Sequence, residues 1–193
     1  LDDLFIPYAG VGGNVKQNTY KSVANDNSFI YREADLKNTN EKLELYGGIR
    51  GTISSAASFN AKVSHTTYED FLYFVNDTVY SSGNRFTPIY DDLSVLNLTG
   101  EVSIHTKDKL KLYMRGDYFI YGTNEEAKPW NQPNTKLTIT GSYDLQDKLV
   151  IRADIFTEGR RKAKSFAPVE GLTPQDDGSY LVNLKGYLDA NLG

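Results

Sequence analysis

Apolar and polar residues alternate along several pairs of segments in this chain. The clearest pair lies in KLTITGSYDLQDKLVIRADIF, residues 136–156, where only Gln146, Asp147 and Lys148 separate two alternating runs. Side chains of a β-strand point to opposite faces with a period of two, and a short polar break between two such runs is typical of a hairpin. The segment therefore predicts a β-hairpin with one apolar and one charged face.

Two hairpins of the same kind are predicted upstream. Residues 43–53 lead through a short break to residues 59–68, and residues 96–104 lead through another to residues 110–118. A first strand over residues 4–15 and a last strand over residues 180–192 bring the expected total to about eight. No segment shows a strong helical pattern.

Much longer segments separate these hairpins, so that short and long connections alternate. The loops of an ordinary β-sandwich are usually short at both ends, whereas a membrane β-barrel has short turns on one side and long loops on the other. We therefore predict an all-β fold, an antiparallel up-and-down meander of about eight strands that forms part or all of an outer-membrane β-barrel. Residues 1–193 would be a single domain, and the long connections would be residues 16–42, 70–92, 123–135 and 159–179.

The two faces of the predicted strands differ in chemistry. One face is Leu, Ile, Val, Ala, Gly and Tyr over seven strands, with no helix predicted to cover it, and we expect it to contact lipid. Opposite charges on the other face could pair across neighbouring strands, in a filled lumen or along a water-filled one. A solvated outer face of a soluble antiparallel sheet is the alternative. The residues predicted to face the lumen are Glu44, Arg50, Lys62, Glu101, Lys111, Arg115, Asp117, Lys136, Asp144, Arg152, Asp154, Lys185 and Asp189.

Aromatic residues gather near the long connections. In a barrel this clustering predicts a girdle at the membrane interface, where amphipathic rings are stable between headgroups and acyl chains. The alternatives are a small core under long loops, or rings that stack on sugars. In that last case the protein would be a soluble β-sheet carbohydrate-binding module, with Tyr121 and Trp130 as ligand-contacting aromatics.

Composition narrows the class of protein. The chain has no Cys, a net charge of -4 and no basic run, which argues against disulfides, Cys-ligated zinc and nucleic-acid binding. No apolar run approaches the roughly 20 residues of a membrane-spanning helix, so a membrane crossing would have to use strands. The mean hydropathy of -0.48 fits a barrel, because polar lumen-facing residues offset apolar lipid-facing ones.

Candidate catalytic and metal-binding residues are few. His65 and His105 fall in different predicted strands, which argues against a metal site or a Ser-His-acid triad. The acidic doublets 91–92, 125–126 and 176–177 lack the alternating ligand spacing of a calcium loop, and we interpret them as solvated loop charge. We therefore expect no catalytic residue, no metal and no cofactor.

Several segments resemble a known class of barrel: KLELYGGIRGTIS, SFNAKVSHTTYEDFLYFVND, RFTPIYDDLSVLNLTGEVS, KLKLYMRGDYFIYG and the 136–156 hairpin. They are similar to TonB-dependent-receptor-like outer-membrane β-barrel proteins of Bacteroidetes, over most of the chain from about Lys42 onward. The chain departs from that class in having no plug domain, no TonB box and Gly193 in place of a terminal aromatic residue. The resemblance implies a segment of a longer barrel in the outer membrane of a bacterial cell.

The expected partners follow from that interpretation. They are outer-membrane lipid, a solute or glycan, and either the rest of the barrel or another copy of the chain paired at the edge strands. Asp77-Thr78-Val79 also resembles the short O-glycosylation signal of exported Bacteroidetes proteins, which predicts a glycan on Thr78. The predicted function is a channel, receptor or scaffold with long outward loops and no catalysis.

Overall fold

The computed structural model describes residues 5–26, 29, 36–77, 85–106, 109–145 and 148–192, and the predicted glycosylation site at Thr78 lies outside them. These residues form ten strands and one short helix. In chain order the elements are β1 (Ile6–Lys16), α1 (Tyr20–Asp26), β2 (Thr39–Ser54), β3 (Ala57–Asp77), β4 (Arg85–Thr106), β5 (Leu110–Thr123), β6 (Thr135–Leu145), β7 (Leu149–Glu158), β8 (Arg161–Ser165), β9 (Tyr180–Leu184) and β10 (Tyr187–Leu192).

Eight of these strands form a meander. They lie side by side in the order β1-β2-β3-β4-β5-β6-β7-β10, and each pair of neighbours on this path is antiparallel. Short connections at 55–56, 107–109 and 146–148 alternate with long ones at 17–38, 78–84, 124–134 and 159–186. The all-β meander and its alternating connections are therefore confirmed.

The central strands are longer than predicted. β3 has 21 residues and β4 has 22, so most of the predicted loop at 70–92 is sheet. The register shifts between Tyr68 and Phe71, where Asp70 has a positive φ of 53°. Such a bulge moves the following side chains to the opposite face, which interrupts the two-residue period and hides the strand from sequence analysis.

Two details of the fold differ from the pattern in the sequence. Helix α1 is too short to show a helical period, but it has a capping pair: the Ser22 N–H donates to Thr19 Oγ1 at 3.2 Å and the Thr19 N–H donates to Ser22 Oγ at 3.0 Å. The predicted last strand is divided at Lys185 and Gly186, since β9 pairs with β8 while β10 pairs with β7. Lys185 therefore lies outside the strands.

The two faces of the sheet differ in exposure. On β4, Leu98 is 45% exposed whereas the next residue, Thr99, is 7% exposed, as the alternation of strand side chains requires. We call these two sides the apolar face and the inner face. Exposed residues of the apolar face include Val11, Leu43, Leu45, Ile49, Ile53, Val63, Leu98, Tyr118, Ile120, Leu137, Tyr143, Leu145, Leu149, Ile151, Leu188 and Leu192.

The hairpin of β8 and β9 folds over the inner face. β8 follows β7 directly, yet Ser165 pairs in parallel with Asn76 at the far end of β3. β7 and β3 are four positions apart in the sheet, roughly 19 Å at the usual strand spacing, and residues 158–165 can span about 24 Å at most. The hairpin therefore bridges from one part of the wall to another across the inner face.

A compact apolar cluster lies between the inner face of the sheet and two segments that cover it, the β8–β9 hairpin and loop 124–134. Tyr73, Leu93, Val95 and Trp130 are buried, with rings of Tyr68, Phe71, Phe119 and Tyr121 packed against them. It occupies the long-connection end of the inner face. Several aromatic residues expected in a membrane girdle therefore belong to this core, while Tyr118 lies on the apolar face and is 45% exposed.

Candidate functional site: the inner face of the sheet

Strand register brings the predicted lumen-facing charges into rows across the sheet. Residues directly opposite each other on antiparallel strands share a face and have Cβ atoms roughly 5 Å apart, which is close enough for their side chains to interact. One row crosses seven strands, from β1 to β7, and consists of Tyr8, Gly48, Lys62, Thr99, Asp117, Lys136 and Glu158.

Arg115 connects two carboxylates on β4 and β5. Its Nε donates to Asp117 Oδ2 at 2.8 Å, and its Nη1 donates to Glu101 Oε1 at 3.2 Å. Asp117 also accepts a hydrogen bond from the Thr99 hydroxyl at 2.8 Å, and Glu101 accepts one from the Tyr113 hydroxyl at 3.1 Å. Charge-assisted bonds of this kind are stronger than neutral ones, so the network fixes these side chains against the wall.

The same network extends to the first strand. Asn60 donates from Nδ2 to Glu101 Oε2 at 2.9 Å and accepts from the Tyr8 hydroxyl at 2.7 Å. The Tyr8 ring lies against Gly48, where a Cβ would meet the ring at 2.6 Å, so a glycine is needed beneath it. Sequence analysis did not single out Tyr8 and Tyr113, because uncharged residues give no signal in a pattern of charges.

Two other pairs of opposite charges meet across neighbouring strands. Lys62 Nζ lies 3.0 Å from Glu44 Oε1 and 4.6 Å from the centre of the Tyr46 ring. Lys136 Nζ lies 3.1 Å from Glu158 Oε1, and the other oxygen of Glu158 is 3.4 Å from Arg161 Nη1. Six of the predicted lumen-facing residues thus take part in ion pairs: Glu44, Lys62, Glu101, Arg115, Asp117 and Lys136.

The other predicted residues on the strands lie mostly toward the short connections. Among the described residues, Arg50, Lys111, Arg152, Asp154 and Asp189 make no ion pair. Two open cavities lie beside them. One, of about 730 Å³, is lined by Arg50 among others, and one of about 390 Å³ is lined by Lys111, Arg152 and Asp154. This end of the inner face is polar and accessible.

Comparison with known proteins adds a likeness of fold. No protein-family profile matches the chain, and no curated protein matches it in sequence. Two solved structures of FpvA from Pseudomonas aeruginosa, a pyoverdine outer-membrane receptor, match all of this chain at 13% identity, with TM-scores of 0.61 and 0.62. The chain covers 25% and 27% of those receptor chains. At this identity the likeness shows the fold alone, which is a segment of β-barrel wall.

The long-connection end of the inner face is covered by two segments, which we together call the cap: loop 124–134 and the β8–β9 hairpin with its connection, residues 161–184. Asp91 on β4 anchors the loop. Asp91 is 4% exposed, and its carboxylate accepts hydrogen bonds from the N–H groups of Asn124, Glu125 and Glu126 at 3.2, 2.9 and 3.0 Å. Three donors converging on one buried carboxylate determine where the loop starts.

Lys164 joins the two parts of the cap. Its ammonium lies 3.1 Å from Glu126 of the loop and 3.1 Å from Asp177 of the hairpin connection. Burial opposes the charge on Lys164, but hydrogen bonds with Asp177 and Glu126 outweigh it and raise the lysine pKa. The hydroxyl and N–H of Ser179 donate to Asp177 at 2.6 and 2.9 Å and, together with Lys164, lower the pKa of Asp177 to about 2.

The cap corrects the interpretation of the acidic doublets as solvated charge. One member of each doublet, Asp91, Glu126 or Asp177, is used to hold the cap in place. Sequence analysis found the doublets but could not find these contacts, because Asp91 bonds to residues 33 to 35 positions away and Glu126 pairs with Lys164, 38 positions away.

The two aromatic residues proposed to contact a ligand have structural partners. Trp130 is 1% exposed, and its Nε1 donates to Glu126 Oε2 at 2.7 Å. The Tyr121 hydroxyl donates to the Pro133 carbonyl at 2.8 Å. The Trp130 ring therefore has no exposed face on which a sugar could stack, and both residues attach the cap to the wall.

In the described part of the chain, the His, Asp and Glu residues form no group of three or more that could hold a metal ion. His65 lies on the apolar face between Leu45 and Leu96, while His105 lies opposite Lys111 on the inner face. None of the helices among these residues is long and apolar enough to span a membrane.

Proposed function

We propose that this chain is part of the wall of an outer-membrane β-barrel that acts as a channel, receptor or scaffold without catalysis. The observation that carries the proposal is the division of one sheet into an exposed apolar face and an inner face of paired charges. A soluble monomer rarely exposes an apolar patch of more than a few hundred Å². In a barrel wall, lipid would cover the apolar face and water would solvate the charges of the inner face.

The likeness of fold supports the same proposal. FpvA is an outer-membrane receptor, and this chain resembles a part of its structure. Within the described residues β1 pairs only with β2, and β10 only with β7, so each leaves a row of backbone N–H and C=O groups free. Such edges can pair with other strands. We propose that they pair with the rest of a barrel, or with a second copy of the chain.

The soluble carbohydrate-binding module is the less favoured function. It would need exposed rings near the long connections, whereas Trp130 is buried. It would also leave the apolar face against water, which is unfavourable by about 25 cal/mol for each Å² of apolar surface.

Cysteine labelling along β5 tests the proposed orientation. The chain has no Cys, so single substitutions are clean probes. We expect Lys111→Cys to react with a water-borne thiol reagent in lipid vesicles and Leu112→Cys to be protected, because neighbouring strand residues face opposite sides. Both should react after denaturation in detergent, which is the control for thiol competence.

The same pattern should repeat along the strand, with Leu110, Met114 and Gly116 protected and Arg115 reactive. Asp117 lies on the inner face but its side chain is only 9% exposed, so a Cys there should react more slowly than one at Arg115. Equal labelling at neighbouring positions would remove the membrane interpretation and leave a solvated sheet. A reversed pattern would show that the two faces are exchanged.

A further inference from the structure

The cap divides the inner face into two regions with different access. Near the long connections Leu93 and Val95 are 2% and 9% exposed and pack with Trp130 of the cap. Near the short connections, Ser103 on the same strand and the same face lines both open cavities. The inner face of β4 is thus covered at one end and open at the other.

We propose that the cap is a fixed constriction that closes the inner space along this wall at the long-connection side. This inference rests on the proposed function, because it requires the inner face to line the interior of a barrel. Solutes on the long-connection side would then meet the outer surface of the cap, and the charge network around Arg115 would be reached along this wall from the short-connection side.

Several attachments fix the cap to the wall, and they come from different elements. Asp91 holds the loop from β4, while the Asn131 side chain donates from Nδ2 to the Phe74 carbonyl of β3 at 2.8 Å. The Asn131 N–H donates to the Lys162 carbonyl at 2.7 Å, which joins the loop to the hairpin. The hairpin itself pairs with β3 through Ser165 and Asn76.

The contacts inside the cap make it behave as one unit. Lys164 touches both parts, and its side chain is only 12% exposed. If the loop left the wall, Asp91 would lose three donors and the apolar cluster would be opened to water, both of which are unfavourable. A segment that merely rested on the surface would show neither a buried carboxylate nor a buried tryptophan.

Cysteine accessibility beneath the cap tests the constriction. Val95→Cys places a thiol under the cap, and Ser103→Cys places one on the uncovered part of the same strand. In lipid vesicles made permeable to the reagent, we expect a bulky maleimide to modify Val95→Cys at least about tenfold more slowly, since a covered group reacts only from an opened state.

Removal of the anchor should open the covered site alone. In an Asp91→Ala background we expect the rate at Val95→Cys to rise by about tenfold or more, with the rate at Ser103→Cys unchanged. Lys128→Gln is the matched control, because it removes an exposed charge from the same loop and should change neither rate. Circular dichroism shows whether each variant is folded. If the Asp91→Ala variant does not fold, Lys164→Gln takes its place, and the same changes in the two labelling rates are expected.

A disulfide between the hairpin and β3 distinguishes release of the cap from a general loosening of the sheet. Asn76 and Ser165 are register partners, so Asn76→Cys with Ser165→Cys should form a bond between β8 and β3. We expect this bond to slow the labelling of Val95→Cys in the Asp91→Ala background, and reduction of the bond to reverse the effect.

Two outcomes would overturn the constriction. One is equal labelling of Val95→Cys and Ser103→Cys in the otherwise unchanged protein, and the other is a rate at Val95→Cys that no cap variant alters. Neither result affects the comparison of Lys111→Cys with Leu112→Cys, so failure of the constriction can be distinguished from failure of the membrane orientation.

Discussion

Neighbouring residues on one strand have opposite surroundings in this protein. On β5, Lys111 lies on the inner face beside an open cavity and makes no ion pair among the described residues, while Leu112 lies on the apolar face. Arg115, four residues after Lys111, bridges Glu101 and Asp117. The contribution of a charged side chain on β5 to stability therefore depends on the face on which it lies and on its partners.

Substitutions at these neighbouring positions should have unequal effects on stability. Leu112→Arg is expected to lower the free energy of unfolding by about 2 to 4 kcal/mol if the residue lies near the bilayer midplane, because a charge would face hydrocarbon. Lys111→Gln should have little effect, since no pair is broken. Denaturant unfolding in lipid vesicles would measure both, and equal losses would contradict the assigned faces.

At the scale of elements, sequence periodicity locates those parts of the fold whose strands are regular. The hairpins at 43–68, 96–118 and 136–156 are confirmed as β2–β3, β4–β5 and β6–β7, because a period of two runs along most of each strand. Sequence analysis missed the part of β3 after Asp70, because the bulge there exchanges the faces to which odd- and even-numbered residues point. The cap could not be predicted, because it depends on contacts such as those of Asp91 with residues 124–126, which no local pattern encodes.

The ion pairs of the cap predict how its packing depends on pH. The pKa of Asp177 is lowered to about 2, so its contribution is complete above its usual value near 4 and is lost as the pH falls toward 2. The pKa of Lys164 is raised, so its contribution is present below its usual value near 10.5 and is lost only as the pH rises through the raised value.

Trp130 fluorescence can follow this dependence, taken as the difference from a Trp130→Phe variant. We expect the emission maximum to stay constant from about pH 5 to pH 9 and to shift to longer wavelength only as the pH falls from about 4 toward 2, where Asp177 becomes protonated and the ring meets water. A shift centred between pH 6 and pH 7 would show that another group controls the cap.

At the scale of the whole molecule, the apolar face dominates behaviour in solution. Large apolar side chains are exposed on strands from β1 to β10, and the described residues provide nothing that covers them as a set. The free edges of β1 and β10 add to this tendency to associate. Lipid would cover the apolar face, and further strands would pair with the free edges of β1 and β10.

We therefore expect the intact protein to require detergent or lipid. Without either, the apolar face should drive association, because water in contact with that much apolar surface is unfavourable. Sedimentation velocity of the full-length protein, with and without detergent, measures this. A clean monomer in plain buffer would count against membrane insertion.

The bridge between Ser165 and Asn76 has a consequence for the order in which the protein folds. These residues are 89 positions apart, whereas the hairpin pairs of the meander form between adjacent segments. The entropy lost on closing a loop increases with its length, so local hairpins should form before this distant contact. The hairpin can reach β3 only when β4 to β7 are already aligned, so docking of the cap should follow the assembly of that part of the wall.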